Sequence, residues 1–290
     1  MYPAPFEYHA PATLPEAIAL IGRFGDDAKL LAGSQSLIPL MKLRLATPAH
    51  LIDLRKIAGL RGISAADGAL RIGAMTTHRE IESSEHMRAR LPVMSEAAAR
   101  IGDPQVRNLG TIGGSLSHAD PSADWPAVMV ALDATVQIAS AAGERTLKVE
   151  DLIQGPLTTA LEPSEILIEV RVPELPARAG AAYEKLPHPA SRFAVVGAAA
   201  WVALDAARNV AAARVALTGL GPKVTRATSV ERALIGTGPD PSAVDAASAR
   251  AAEGLELRPD LIGSAEYKAH LAAVYTARAV RRAIGRARER

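Results

Sequence analysis

The sequence predicts an α+β protein with more than one packed unit. A strand, a small-residue loop, a helix and a second strand follow one another within residues 29–54, and a later block of three strands precedes three helices. Size agrees, because 290 residues exceed the usual length of a single domain. A chain this long can bury roughly 75% of its unfolded surface, so its fold needs no disulfide or metal.

The elements read in order as follows. Thr13 and Glu16 form a capping box with Pro15 in the first turn, opening a helix over 13–24. Leu14, Ile18, Leu20 and Ile21 are its apolar face, and Gly22 and Gly25 mark its end. Lys29 to Ala32 is a short buried strand, Leu37 to Leu43 a short helix, and His50 to Leu54 another strand. Leu60 to Ser64 and Leu70 to Ala74 are strands joined around Asp67-Gly68, a hairpin signal. Thr77 and Glu80 make a second capping box, beginning a helical stretch that runs with breaks to Arg100. Residues 102–121, rich in Gly, Asp, Ser and Pro, read as one long irregular loop, and Trp125 to Leu132 as a helix. Strands follow at Thr135–Ser140, Thr146–Val149 and Ile166–Val172, then a linker from Pro173 to Gly180.

Beyond the linker, Ala182–Leu186, Phe193–Leu204 and Ala211–Thr218 predict a three-stranded antiparallel sheet with a turn over Asp205 to Asn209. Helices are expected around 228–235, 241–253 and 264–287. In the last, Tyr267, Leu271, Val274, Val280 and Ile284 fall at helical spacing. Its Arg-rich end suits a helix C-terminus.

Composition excludes several functions. The chain has no cysteine, so iron–sulfur ligation and thiol redox chemistry are not expected of it. If it handles electrons it needs an organic cofactor, with any metal cluster on another chain. A net charge of +2 and 3% aromatic residues speak against nucleic-acid binding. No apolar run is long enough for a bilayer, and the start, Met1 to Pro5, lacks signal-peptide character, so no transmembrane segment and a cytoplasmic location are expected. The histidines at 9, 50, 78, 86, 118, 188 and 270 are scattered without H-E-x-x-H, and no metal site follows from them. G-x-G-x-x-G, G-K-[ST] and G-x-S-x-G are all missing, which removes a Rossmann site, a P-loop and an α/β-hydrolase.

Two loops carry the functional reading. Leu31-Ala32-Gly33-Ser34-Gln35-Ser36-Leu37 places small residues between a strand and a helix, where outward N–H groups suit a pyrophosphate. A tight strand-to-helix turn uses the same residues. Asn108-Leu109-Gly110-Thr111-Ile112-Gly113-Gly114-Ser115 has three glycines in five positions, permitting backbone angles closed to other residues and close approach of a ligand. Asp124 follows at a helix start, either as a capping or first-turn acid or as a ligand contact. Asp120 and Asp124 also admit an acid/base reading, and His118 is either a packing residue or a cofactor contact.

Ala32-Gly33-Ser34-Gln35-Ser36 and Thr111-Ile112-Gly113-Gly114, at this separation, resemble the FAD-binding medium subunit of the molybdenum hydroxylases, the family of carbon monoxide dehydrogenase and xanthine dehydrogenase. Phe6 and Tyr8, the dense match from Val106 to Pro126, and Ser264-Ala265-Glu266-Tyr267 extend the likeness over nearly the whole chain. The resemblance implies an FAD-binding domain of the vanillyl-alcohol-oxidase type over 1–176, with subdomains of about 1–56 and 57–176. A smaller α+β flavoprotein C-terminal domain would occupy 177–290.

By the same resemblance, Leu30, Leu31, Ala32, Gly33, Ser34, Gln35, Ser36 and Leu37 wrap the pyrophosphate, and Thr111, Ile112, Gly113, Gly114 and Ser115 approach from the second loop. Asp124 is an acidic FAD contact, Ile101 and Leu167 flank the cofactor, Lys185 is a basic contact and Phe193 falls near the isoalloxazine ring. The family more often has glycine where this chain has Ser34; a left-handed backbone there would cost serine about 1 kcal/mol.

The expected function is therefore an electron-transfer subunit. A large partner chain would carry the molybdenum cofactor, and a small one [2Fe-2S] clusters, in a dimer of heterotrimers that serves an external acceptor. A self-contained FAD oxidase or reductase is the alternative, and it would need an acid or base over the flavin.

Overall fold

The computed structural model describes residues 2–238, 240–257 and 259–290; Met1, where the expected start begins, lies outside the described residues. The N-terminal layer runs β1 (Glu7–His9), α1 (Leu14–Phe24), β2 (Ala28–Leu31), α2 (Leu37–Lys42) and β3 (His50–Asp53). Its strands align β1-β3-β2, both pairs parallel. The Thr13 hydroxyl accepts from the Glu16 amide, while the Glu16 carboxylate accepts from the Ala12 amide, one residue earlier than in an ideal box. Ala17 and Ile21 of α1 pack with Ala28, Ile52 and Leu54, and this core extends to Met75 and Ile166 in the next layer.

The second layer begins with β4 (Ile63–Ala66) and β5 (Ala69–Gly73), which turn at Asp67 and Gly68 with φ of 54° and 71°, as a two-residue hairpin requires. Six helices follow: α3 (His78–Ser83), α4 (Glu85–Arg90), α5 (Pro92–Ala99), α6 (Pro104–Leu109), α7 (Ile112–His118) and α8 (Asp124–Ala131). The Thr77–Glu80 box closes in both directions. The irregular loop expected over 102–121 is instead largely helical. Asp103 caps α6, Thr111 caps α7, and Gly113 and Gly114 lie inside the first turn of α7. Every residue of α8 is buried, so this helix has no polar face to reveal it.

The layer closes with β6 (Thr135–Ser140), β7 (Gly143–Lys148), α9 (Val149–Leu152), β8 (Ile153–Gly155), β9 (Thr158–Thr159) and β10 (Ile166–Pro173). An antiparallel five-stranded sheet has the order β4-β5-β10-β6-β7, and β8 pairs with β9. Leu70, Ile72, Val136 and Val170 of the sheet pack with Ile81, Met94, Ile112 and Trp125 of the helices in one core.

The C-terminal layer is β11 (Ala179–Pro187), β12 (Ala194–Leu204), β13 (Val210–Thr218), β14 (Thr225–Arg226), α10 (Thr228–Leu234), α11 (Pro241–Ser248) and α12 (Ala265–Glu289). Its sheet has four antiparallel strands where three were expected, because the two-residue β14 is too short to show a period. Helix α11 ends at Ser248, short of the expected 253. Leu271, Ala272, Val280 and Ile284 of α12 pack in the same core as Val196 and Val202 of β12. Among the described residues no helix is long and apolar enough to cross a membrane.

A buried polar junction ties this layer to the second. Asp124, at the start of α8, accepts from the Tyr183 hydroxyl at 2.5 Å and from Lys185 Nζ at 2.8 Å, and Lys185 also donates to the Arg100 carbonyl at 3.0 Å. All three side chains are sealed from water. Lys185→Met leaves the carboxylate buried without its cation, so chemical denaturation is expected to show a loss of about 3–5 kcal/mol. Pairing it with Asp124→Asn should return part of that loss.

Candidate cofactor cleft

The two small-residue loops meet. A Cβ on Gly33 would fall 2.4 Å from the Leu109 carbonyl oxygen and 2.6 Å from the Gly110 Cα, and one on Gly113 would fall 2.5 Å from the Ala74 Cβ. The Gly113 amide donates to the Ala74 carbonyl at 2.9 Å, and the Gly114 amide to the Thr111 hydroxyl at 3.1 Å. The glycines are therefore required by contact. None of Gly33, Gly110, Gly113 and Gly114 has positive φ, so the second loop does not use the wider backbone angles that its glycines permit. Positive φ falls on Ser34 instead, at 67°, so the serine sits where the usual glycine would be unstrained.

Between the loops lies a cleft of about 480 Å³, within the range of small-molecule sites. Leu30, Ala32, Gly33, Ser34, Gln35, Ser36 and Leu37 line one side, and Thr111, Gly113, Gly114, Ser115, His118 and Asp124 another. Ile101 and Leu167 are apolar parts of its wall, and Phe193 reaches it from the C-terminal layer. Three expected residues do not line it. Leu31 turns to the buried side of β2, Ile112 packs in the main core, and Lys185 stands behind Asp124 on a neighbouring cavity shared with Arg100, Arg107 and Arg278.

The amides of Gly33, Ser34, Gln35 and Ser36 make no hydrogen bond within the described residues. Four successive donors beside a left-handed residue form a nest for anionic oxygens. The Ser115 hydroxyl is likewise without a partner among the described residues, whereas that of Thr111 is engaged in capping α7. Apolar walls with one patch of convergent donors suit a dinucleotide, whose rings need apolar cover and whose diphosphate needs donors.

His78 and Met75 also line the cleft, and sequence reasoning did not single them out. His78 shares a helix face with Ile81, three positions on, which was the available signal for burial. Its Nδ1 accepts from the Trp125 indole N–H at 3.0 Å, which assigns the proton of the neutral ring to Nε2. Burial, aided by the Arg107 charge, holds its pKa at about 4. Burial also pushes the Asp124 carboxyl upward, against the pull of Lys185, Tyr183 and Arg100, and raises the Tyr183 phenol well above its ordinary value.

A parallel α/β layer, an antiparallel sheet with helices, and an amide-lined cleft between them define a dinucleotide-binding flavoprotein. Residues 4–175 match the family described as FAD binding domain in molybdopterin dehydrogenase, and residues 181–283 match the CO dehydrogenase flavoprotein C-terminal domain. The chain thus belongs to the FAD-binding medium subunits of the molybdenum hydroxylases, and its place in such an oxidoreductase is the flavin subunit. It is 42% identical over 286 residues to the carbon monoxide dehydrogenase medium chain of Hydrogenophaga pseudoflava, covering 99% of each. It is 38% identical over 288 residues to 6-hydroxypseudooxynicotine dehydrogenase complex subunit alpha of Paenarthrobacter nicotinovorans, covering 99% and 97%. Solved structures agree: carbon monoxide dehydrogenase from Hydrogenophaga pseudoflava superposes with a TM-score of 0.94 at 43% identity, over 99% of both chains. Quinoline 2-oxidoreductase from Pseudomonas putida 86 gives 0.93 at 36%, again over 99% of both. FAD is the cofactor of this chain.

Two outcomes follow from the geometry of the cleft. Ser34→Gly removes the left-handed strain and should stabilise the chain by about 1 kcal/mol in urea denaturation; an unchanged midpoint would show that the serine bears no strain. His78 gives a pH dependence of defined sign. Its pKa lies near 6.5 in the ordinary state and about 4 when folded, so the unfolded chain takes up the proton first as pH falls. Its contribution is complete above 6.5 and fades toward pH 4, by roughly 3 kcal/mol in all. Stability measured across this window should fall less steeply in His78→Gln than in the parent.

Proposed function

We propose that the chain is the cytoplasmic electron relay of a molybdenum-containing hydroxylase or dehydrogenase. In this reading it takes electrons from a small [2Fe-2S] chain and passes them to an external acceptor such as NAD⁺, oxygen or a quinone. A large chain holds the molybdenum cofactor and oxidises the organic substrate, and the assembly is a dimer of heterotrimers. The observation that carries this is the closing of two glycine-bearing segments on one cleft, in a chain without cysteine. Bound FAD supplies the redox chemistry, since a flavin accepts electrons singly and releases one or two.

The chain's own residues supply position and electrostatics. The amides of Gly33 to Ser36 hold the diphosphate, with the Ser115 hydroxyl as a further donor from the facing loop. Leu30, Leu37, Ile101 and Leu167 exclude water along the walls, and Phe193 closes the end contributed by the C-terminal layer. Asp124 has both oxygens committed to Tyr183 and Lys185, so it shapes the wall by fixing the start of α8. His78, neutral and bonded to Trp125, offers no proton exchange at neutral pH.

Co-expression with a large molybdenum-cofactor chain and a small iron–sulfur chain tests the assignment. The tagged chain should co-purify with both, and substrate should bleach the flavin absorbance of the complex but not that of the isolated chain. A purified chain that shows no flavin spectrum when FAD is supplied would sink the reading. Substrate turnover by the chain alone would assign it to self-contained FAD oxidases.

A further inference from the structure

The free edge of the N-terminal sheet carries a second cluster, outside the cleft. Glu7 and His9 are two apart on β1 and project to one side of that strand. Glu7 stands opposite His50 on β3 in the parallel register. Strand pairing thus assembles three metal-binding side chains that the sequence spacing keeps apart, which is why no ligand motif announced them.

The donor atoms are tightly grouped. His9 Nε2 lies 3.2 Å from His50 Nδ1, and Glu7 Oε2 lies 3.5 Å from His50 Nδ1 and 3.9 Å from His9 Nε2. The two carboxylate distances are too long for good hydrogen bonds, so pairing between the histidines leaves Glu7 unexplained. A triangle with these sides has one point about 2.1 Å from all three corners, which is the bond length of zinc to imidazole and carboxylate. The rings are also held in place. Phe24 stacks on His50 at 3.7 Å with 16° between planes, and on His9 at 5.0 Å with 29°. Both imidazoles are mostly covered, at 23% and 18% exposed, while the carboxylate faces water.

We propose that Glu7, His9 and His50 bind one zinc-class divalent cation, with water in the fourth position. Two imidazoles and one carboxylate form a borderline donor set that selects zinc over calcium or magnesium, which prefer all-oxygen shells. The ion ties β1 to β3. β1 has three residues and among the described residues pairs with β3 alone, so the clip secures the outermost strand of the layer that holds the first cofactor loop.

The test uses the full FAD-loaded chain, stripped with a chelator and titrated with zinc chloride in a calorimeter. The parent should take up one equivalent, and zinc should raise its melting temperature. His9→Ala/His50→Ala should lose that equivalent, its affinity falling at least about 100-fold, and Glu7→Gln should weaken binding about tenfold. Unchanged flavin content and circular dichroism in the variants show that the fold is kept. Cobalt(II) in place of zinc should give the visible absorption of a four-coordinate site in the parent only. No zinc uptake by the parent overturns the proposal. Uptake of equal affinity in the double variant overturns it too, since the ion would then sit elsewhere.

Discussion

The structure depends on a contact between two stretches of backbone. Gly33 lies so close to Leu109 and Gly110 that no side-chain atom fits between them. The N-terminal layer and the layer behind it have their own cores, and Met75, Ile166 and Ile168 of the second pack with the core of the first. The glycine contact fixes the remaining freedom, the distance between the loops on either side of the cleft. Packed interiors transmit such a constraint with little give. The shape of the cleft is thus set by what is missing at position 33.

A second constraint works through charge. The start of α8 presents Asp124 to Tyr183 and Lys185 of the C-terminal layer, while Trp125, one residue on, reaches His78 on the other side. A buried carboxylate is costly, and here the cost is offset by a cation and a phenol that both donate to it. One helix start therefore joins elements from two layers to the wall of the cleft. An acid at this place reads in sequence as a cap or a ligand contact. Its role as a junction between layers shows only once β11 is folded against it.

What could be read in the sequence followed from local rules. Thr13 and Thr77 mark helix starts because their hydroxyls satisfy amides a few residues away, and Asp67-Gly68 marks a hairpin because both residues tolerate positive φ. The stretch 102–121 misled because glycine was read as a breaker. Thr111 caps the helix, and Gly113 is there to admit Ala74, a residue nearly forty positions away. His78, buried at the cleft, and the strand-assembled Glu7, His9 and His50 depend likewise on partners distant in sequence. Local signals locate elements, whereas sites arise from register and packing.

Ser34 shows how local and distant requirements meet. Its left-handed backbone would suit glycine, and serine there bears strain of about 1 kcal/mol. The same turn points four successive amides away from the chain, so none of them finds an acceptor among the described residues. A chain free to relax Ser34 would turn some of these donors inward. Gly33, pinned against Leu109 on one side, and α2, starting at Leu37 on the other, leave it no room to do so. The outward amides are held from both ends, which makes this loop an anion cradle before any ligand arrives.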